Sequence, residues 1–343
     1  MYVRSVKLIC KSALSTLVFA RDMPPTTDDE ENFESEMAEK EKFRLSERYD
    51  GDEVELSVDD IEVDLTHRRI KDLNMATALQ KVETLYLRQN LIRKIENISH
   101  LIHLTNLELY DNQISKIEGL DVLINLVTLD LSFNYIKTIE NLNTLTNLEN
   151  LYLVQNKISK IANLSNLKKL RMLELGSNRI RKLSNLSELT SLEELYVGKN
   201  KITELEGLGN LTYLKTLSIQ SNRLRKIENI ANLVNLEELY LSDNGIEKLE
   251  GLDANLNLKV LDAANNQIPH LENVSHLENL TDLWLNNNLL SDFREISSIS
   301  HLKHLDTVYF SRNPIEKNDI SGYRRKLILE LPHVKQIDAT FCR

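Results

Sequence analysis

Asparagine recurs at a fixed interval through most of the chain. Ten copies lie 22 residues apart, at Asn90, Asn112, Asn134, Asn156, Asn178, Asn200, Asn222, Asn244, Asn266 and Asn288. A further step of 25 residues reaches Asn313, and one step back from Asn90 falls on Arg68 in a degenerate first copy. A period between about 20 and 50 residues is typical of stacked repeats, not of one globular core. The sequence therefore predicts about twelve coils stacked along one axis.

The spacing inside one copy indicates the local structure. The stretch from Leu148 to Ile158 reads L-x-x-L-x-L-x-x-N-x-I, which is the leucine-rich-repeat pattern. Leu151 and Leu153 alternate on a short strand, so both point into the core and Tyr152 between them points out. The side-chain amide of Asn156 is expected to bond backbone groups of its own coil and of the next coil.

The remainder of each copy predicts the other side of the coil. Ile114, Ile117 and Leu120 are three residues apart, which suits a 3₁₀-like turn, and Gly119 stands where most copies have Asn. One coil cannot bury these side chains alone, so neighbouring coils must stabilise one another. We predict an α/β leucine-rich-repeat solenoid, curved, with a parallel concave sheet and a convex side of 3₁₀ turns and loops.

Composition and loss of the repeat predict the boundaries. The solenoid is expected over 54–322 and a C-terminal cap over 323–343, with a helix from Arg324 to Leu331 that ends at Pro332. Five apolar residues of the cap are expected to cover the last coil: Leu327, Leu331, Val334, Ile337 and Phe341. Between Asp28 and Asp64 stand seventeen acids and four bases, so 23–53 is predicted to be an acidic disordered segment.

The first 22 residues are predicted to be a disordered extension. Met1 to Arg21 is basic and serine-containing, which also loosely resembles an organelle transit segment. The extension is the favoured interpretation. A membrane span is not expected, because the stretch is short and carries Lys7 and Lys11.

The outward positions of the strands indicate the function. The position between the two core leucines gives one column with six aromatic residues, five acids and one serine: Asp64, Tyr86, Glu108, Asp130, Tyr152, Glu174, Tyr196, Ser218, Tyr240, Asp262, Trp284 and Tyr309. The column two residues earlier likewise contains no Lys or Arg. Aromatic residues among charges are typical of a protein-binding surface. Nucleic acid is not an expected partner, since phosphates require a basic stripe.

Catalytic and metal-binding motifs are absent from the sequence. There is no nucleophile elbow, phosphate-binding loop, H-E-x-x-H motif or paired cysteine, and the two cysteines are Cys10 and Cys342. His100/His103 and His301/His304 share one repeat slot, so common descent of the repeats explains them without a metal. We therefore expect no enzyme activity, no cofactor and no metal.

Several stretches resemble the regulatory subunit 7 family of protein phosphatase 1. They are Lys-Ile-Glu-Asn-Leu in the repeats, Leu87 to Ile92, Leu173 to Ile180, and the tail segments Tyr323 to Lys326 and Gln336 to Phe341. The resemblance implies binding of the phosphatase catalytic subunit in nucleus and cytoplasm, a link to mitotic chromosome segregation, and a third, inhibitor-type protein as a further partner. Matched slot by slot, it implies these contact residues: Asp130, Tyr152, Glu174, Tyr196, Asp262, Asp282, Trp284 and Tyr309. Tyr152 and Tyr196 replace a frequent Phe of the family, and Asp282 replaces a usual Glu.

Two alternatives remain open. The first is a scaffold for another protein, and the second is a surface adhesion protein of the internalin type, disfavoured because no secretion or anchor signal is expected. Many regulators of this phosphatase dock through [Arg/Lys]-[Val/Ile]-x-[Phe/Trp], and the sequence lacks that segment; Lys81 to Thr84 comes nearest. We therefore expect any such binding to use the folded concave face.

Overall fold

The computed structural model describes residues 43–44 and 55–342. Strand β1 (Phe43–Arg44) pairs antiparallel with β2 (Glu55–Leu56). One strand per coil follows: β3 (Glu62–Asp64), β4 (Thr84–Tyr86), β5 (Asn106–Glu108), β6 (Thr128–Asp130), β7 (Asn150–Tyr152), β8 (Met172–Glu174), β9 (Glu194–Tyr196), β10 (Thr216–Ser218), β11 (Glu238–Tyr240), β12 (Val260–Asp262), β13 (Asp282–Trp284) and β14 (Thr307–Tyr309). Neighbouring coil strands are parallel in one sheet, so the leucine-rich-repeat solenoid is confirmed.

The N-terminal strand lies in a range where composition predicted no structure. Phe43 and Arg44 fall inside 23–53, and their antiparallel pairing with Leu56 and Glu55 precedes the first coil. The remaining residues of the predicted extension and acidic segment lie outside the described part of the chain. An acid-rich sequence gave no signal for a two-residue strand, because its partner strand supplies the hydrogen bonds.

The core is one continuous column of Leu and Ile. Strands pair at intervals of one repeat, for example Leu129 with Leu151, and Leu129 and Leu131 are both fully buried. Each coil repeats this arrangement, so each buries its apolar side chains against its two neighbours. The stability of the solenoid therefore comes chiefly from contacts between adjacent coils.

The asparagines form a buried ladder that runs toward the N-terminus. Asn134 Nδ2 donates to the carbonyl oxygens of Leu131 (3.1 Å) and Ser132 (3.0 Å) in its own coil and of Leu109 (2.9 Å) in the preceding coil. Its Oδ1 accepts from the backbone N–H of Ile114 at 2.9 Å, also in the preceding coil. The predicted bonds to the next coil are therefore wrong in direction: the amide reaches back.

The convex side alternates Asn and Gly for a backbone reason. Asn141 has φ +58° and Gly119 has φ +71°, both in the left-handed region that Asn and Gly tolerate. Asn141 Nδ2 donates to the Ile117 carbonyl at 2.7 Å. At Gly119 a Cβ atom would lie 2.3 Å from the Ile95 oxygen. The Gly in the Asn slot thus serves the close approach of the preceding coil.

The 3₁₀-type hydrogen bonds lie later in the coil than predicted. Leu123 N–H donates to the Leu120 carbonyl (2.9 Å), and Leu126 N–H donates to the Leu123 carbonyl (3.1 Å). The predicted turn from Ile114 to Leu120 is instead an extended stretch with bends. Three-residue spacing of apolar positions continues through both stretches, so spacing alone could not locate the turn. Full 3₁₀ helices occur at Asn74–Ala78 and Phe293–Ile299.

The C-terminal segment closes the stack and extends the sheet. It contains α1 (Pro314–Lys317), α2 (Tyr323–Glu330), β15 (Gln336–Ile337) and β16 (Thr340–Phe341). The predicted helix is shifted by one residue. Strand β15 adds parallel to β14, and β16 turns back against β15.

Four of the five residues predicted to cover the last coil are buried, and Phe341 is not. Leu327, Leu331, Val334 and Ile337 are at most 3% exposed, whereas Phe341 is 74% exposed because it stands on the outermost strand. Tyr323 fills the interior instead. Its ring centroid lies 6.4 Å from that of Phe293, and its hydroxyl donates to Asp338 at 3.0 Å.

Candidate protein-binding face

The strand register places the predicted columns side by side on one surface. Asp130 pairs with Tyr152, which pairs with Glu174, and Glu174 pairs with Tyr196. Asp262, Trp284 and Tyr309 follow in the same way farther along. We call the residues between the core leucines the central column, and the central column together with the residues two positions earlier the sheet face. Strands line the inside of leucine-rich-repeat horseshoes, so the sheet face is the expected concave side.

A base nevertheless stands beside the central column. Arg88, two residues beyond Tyr86, forms an ion pair with Glu108, and its guanidinium carbon lies 4.9 Å from the Tyr86 ring centroid. The two columns read from the sequence omit this position. A third column, taken two residues after the central one, would have revealed Arg88. One of the five central acids is therefore neutralised inside the protein.

Asp130 and Asp262 are buried, which corrects the expectation that both present free charges. They are 3% and 9% exposed. Asp130 Oδ1 accepts the backbone N–H of Ser132 at 2.8 Å, and Asp262 Oδ1 accepts that of Ala264 at 3.0 Å. Burial raises the pKa of each carboxyl to about 6. The short Asp side chain holds the turn after the strand, a local role that composition could not separate from surface charge.

Glu174 is the central acid with the most perturbed ionisation. It lies between Tyr152 and Tyr196 on neighbouring strands. Burial, followed by the charge of Asp130, raises its pKa to about 7. Burial also raises the pKa of Tyr152 to about 12. Near neutral pH, Glu174 is therefore divided between its protonated and charged forms, and a cation nearby would shift it toward the charged form.

Two tyrosines of the central column are tied to the acids of the neighbouring column. The Tyr196 hydroxyl donates to Glu194 at 2.6 Å, and the Tyr240 hydroxyl donates to Glu238 at 3.1 Å. Burial comes first, and the adjacent carboxylate adds to it, in raising both tyrosine pKa values. These pairs fix the ring orientations before any partner arrives, which lowers the entropy cost of binding.

Trp284 is half-buried in an aromatic group, not fully exposed as its position suggested. Its ring centroid lies 6.0 Å from Tyr309, edge to face, and 6.5 Å from Tyr240. Tyr240 and Trp284 flank Asp262 on the adjacent strands, which accounts for its burial. The Tyr309 hydroxyl accepts from Gln336 Nε2 at 2.7 Å.

The indole nitrogen of Trp284 lacks a hydrogen-bond partner. Nε1 is buried and has no acceptor among the described residues. Buried donors are normally paired. The ring therefore offers a partner both apolar area and an unsatisfied N–H.

The convex histidines link coils. His100 Nε2 donates to the carbonyl oxygens of Ala76 (3.0 Å) and Leu79 (2.9 Å), and His301 Nε2 donates to that of Ser275 (2.8 Å). Over the described ranges no group of His, Cys, Asp and Glu is arranged to hold a metal. The helices of the same ranges lack the length and apolar character of a membrane span.

Comparisons with protein-family models match most of the repeat region. A family described as "Leucine Rich repeats (2 copies)" matches six overlapping segments between residues 80 and 232, and one described as "Leucine-rich repeat" matches 222–342.

Solved structures share the fold. An internalin (inlF) from Listeria monocytogenes matches with a TM-score of 0.66 and 26% identity, over 84% of this chain and 90% of that one. A leucine-rich-repeat protein of Leptospira interrogans matches with a TM-score of 0.62 and 26% identity, over 77% and 74% of the two chains.

Curated relatives match over shorter stretches. Protein phosphatase 1 regulatory subunit 7 of Homo sapiens is 52% identical over 54 residues, which is 16% of this chain and 14% of the relative. The subunit of Danio rerio is 59% identical over 39 residues, 11% of each chain. The SDS22 homolog of Caenorhabditis elegans, also named a protein phosphatase 1 regulatory subunit, is 56% identical over 39 residues, 11% of this chain and 12% of the relative. The matched stretches thus span about one eighth of these relatives. The chain belongs to the leucine-rich-repeat family, and its sequence is similar to protein phosphatase 1 regulatory subunit 7.

Proposed function

We propose that this chain is a non-catalytic regulatory subunit that binds the catalytic subunit of protein phosphatase 1 through the sheet face. The observation that carries the proposal is the identity of 51–59% to proteins named as regulatory subunits of this phosphatase. The sheet face supports it with chemistry: aromatic rings that can anchor a partner lie between carboxylates that can pair with its basic groups.

The predicted contact residues divide into two sets. Six are half-buried and present part of their surface: Tyr152, Glu174, Tyr196, Asp282, Trp284 and Tyr309. Asp130 and Asp262 are buried and act within the proposal by supporting the backbone and adding negative potential under the aromatic rings. We expect the first set to carry the contact energy and the second set to carry the shape of the face.

The cellular role in the proposal follows the relatives. The chain would control the activity, targeting or maturation of the phosphatase, including in mitosis, in nucleus and cytoplasm, and an inhibitor-type protein would join as a third component. It would need neither nucleic acid nor a membrane.

The alternative is a leucine-rich-repeat scaffold for a different protein. It is favoured by the short coverage of the phosphatase subunits, set against the long coverage of an internalin structure. Affinity purification of the full chain separates the two, because the scaffold alternative predicts capture without the phosphatase catalytic subunit.

The direct test is calorimetric titration of the purified phosphatase catalytic subunit. Trp284→Ala should weaken binding by about 2 kcal/mol, roughly thirtyfold, because it removes an aromatic anchor. Glu174→Lys should also weaken binding, because it places a cation where we propose that a basic group of the partner lies. The control is Lys116→Glu on the convex side, where Lys116 pairs with exposed Glu118 at 3.1 Å.

Circular dichroism of each variant confirms that the coils remain folded. Normal binding by both sheet-face variants, together with loss of binding in the convex control, would reverse the assignment of the faces. Normal binding by all three would remove the proposal.

A further inference from the structure

The repeat itself provides a control for every position, and two adjacent coils depart from it in charge. The sixth residue after the ladder asparagine is Glu in seven coils: Glu96, Glu118, Glu140, Glu206, Glu228, Glu250 and Glu272. In the coils of Asn156 and Asn178 it is Ala162 and Ser184. These two coils have therefore lost the acid that balances the bases of their neighbours.

The same two coils and the next one are rich in bases. Six bases follow the carboxyl ends of strands β7, β8 and β9, and we call them the basic edge: Lys157, Lys160, Arg179, Arg181, Lys182 and Lys201. Within residues 55–342, Lys182 alone among them forms an ion pair, with Glu206 at 3.4 Å. Lys160, Arg179 and Arg181 are exposed. At about 4.8 Å between strands, the edge spans three coils, roughly 10 Å from first to last.

An aromatic group adjoins the basic edge and is also an exception in the repeat. We call Tyr110, Phe133 and Tyr135 the aromatic corner. The rings of Tyr110 and Phe133 lie 4.8 Å apart, and Lys157 Nζ lies 4.5 Å from the Tyr135 centroid. The last contact joins the corner to the edge. Phe133 and Tyr135 are 38% and 49% exposed.

Phe133 occupies a position that does not suit it. The slot before the ladder asparagine has positive φ in every regular coil and holds Gln, Asp, Ser, Lys or Asn there, whereas Phe133 has φ +56°. A bulky residue in the left-handed region is unfavourable, and exposure of its ring adds no core packing. An exposed aromatic residue kept at an unfavourable backbone position points to an interaction outside the chain.

We propose that the basic edge and the aromatic corner together bind an extended acidic segment of a partner protein, with an aromatic or apolar residue of that segment on the corner. The bases pair with its carboxylates, and the corner takes its apolar residue. This surface lies on the rim at the carboxyl ends of the strands, apart from the central column, so it does not depend on the proposed phosphatase contact.

A peptide fits this surface better than a nucleic acid. The bases span three coils and are followed by Glu204 and Glu206, while the acidic sheet face borders them. A polynucleotide carries a phosphate at every residue and would extend over these acids. A single extended peptide can place its carboxylates on the edge and end on the corner.

The test uses the full chain and a synthetic labelled peptide of about twelve residues, mostly Glu and Asp with one Phe, at about 50 mM salt, where exposed charges still interact. Fluorescence anisotropy measures its binding. Arg181→Glu combined with Lys182→Glu should weaken binding about tenfold or more. The matched control reverses the same two consecutive slots in another coil, Arg93→Glu with Lys94→Glu, and should change binding less than about twofold.

The aromatic corner is tested separately. Phe133→Gln introduces the residue that the repeat has at Gln89 and Gln155, so the fold is preserved. It should weaken the Phe-containing peptide and leave a peptide with Ala at that place unchanged. Equal effects of the two double reversals, or tighter binding of an oligothymidine of equal charge, would overturn the proposal. So would self-association in sedimentation that disappears in the Arg181/Lys182 variant, because the occupant would then be a second copy.

Discussion

Glu174→Gln tests the electrostatics of the sheet face through stability. Burial raises the pKa of Glu174 from 4.5 to about 7. The folded state therefore binds a proton more tightly than the unfolded state, and its contribution is favourable below pH 4.5. That contribution is lost as the pH rises through about 7. At neutral pH and above, an ionised Glu174 destabilises the free protein.

The size of the effect follows from the shift. A rise from 4.5 to about 7 corresponds to about 3 kcal/mol at 1.36 kcal/mol per pKa unit, as an upper bound. Gln has the shape of the protonated acid and does not ionise. The variant should therefore gain stability over the native chain as the pH rises, by roughly 2 kcal/mol between about pH 5 and about pH 8.

Urea unfolding at several pH values measures the difference. The control is Glu118→Gln, an acid on the convex side that is paired with Lys116, and its difference from the native chain should stay small, since exposed pairs contribute about 0 to 1 kcal/mol. A Glu174→Gln variant whose stability difference does not change with pH, or grows toward low pH, would refute the burial argument.

Three further predictions address the face, the ladder and the cap. If a basic group of the phosphatase binds at Glu174, affinity measured by calorimetry should rise between about pH 6 and about pH 8 as the carboxyl ionises, and this dependence should disappear in Glu174→Gln. Asn178→Ala removes four buried hydrogen bonds to backbone groups, three donated at 2.8, 3.1 and 3.2 Å and one accepted at 3.0 Å, and should lower the free energy of unfolding by about 2 kcal/mol or more, with no loss in a variant of exposed Asn166 serving as comparison. Deleting 323–343 should lower the melting temperature and promote aggregation, because Leu285 and Phe310 would lose the cover of the cap; an unchanged melting temperature would contradict a capping role.

The architecture could be predicted from the sequence because the repeat states it many times. Each of the twelve central-column residues lies on the strand assigned to it, since one period and one alternation fix every register. The direction of the asparagine bonds could not be predicted. The spacing is the same whether Asn134 bonds the coil before it or after it, and only three-dimensional stacking brings the Leu109 carbonyl within reach.

The candidate site was less predictable than the fold for a related reason. Alternation tells which side of a strand a residue faces, but not how much its neighbours cover it. Asp262 faces outward and is still buried, because Tyr240 and Trp284 stand on both sides. Phe341 shows the converse: an apolar residue in the cap stays exposed because no strand follows β16.

The backward direction of the asparagine ladder has a consequence for synthesis on the ribosome. The carbonyl of Leu153 and the N–H of Ile158 are satisfied only when Asn178, on the following coil, has been made. Each coil thus stays open for one further period of translation, and maturation moves along the nascent chain one coil behind elongation. At the end, Asp338 accepts the N–H groups of Phe310 and Ser311, both at 2.9 Å, in place of a further asparagine. At the start, Arg68 can stand in the asparagine slot because no earlier coil waits to be closed.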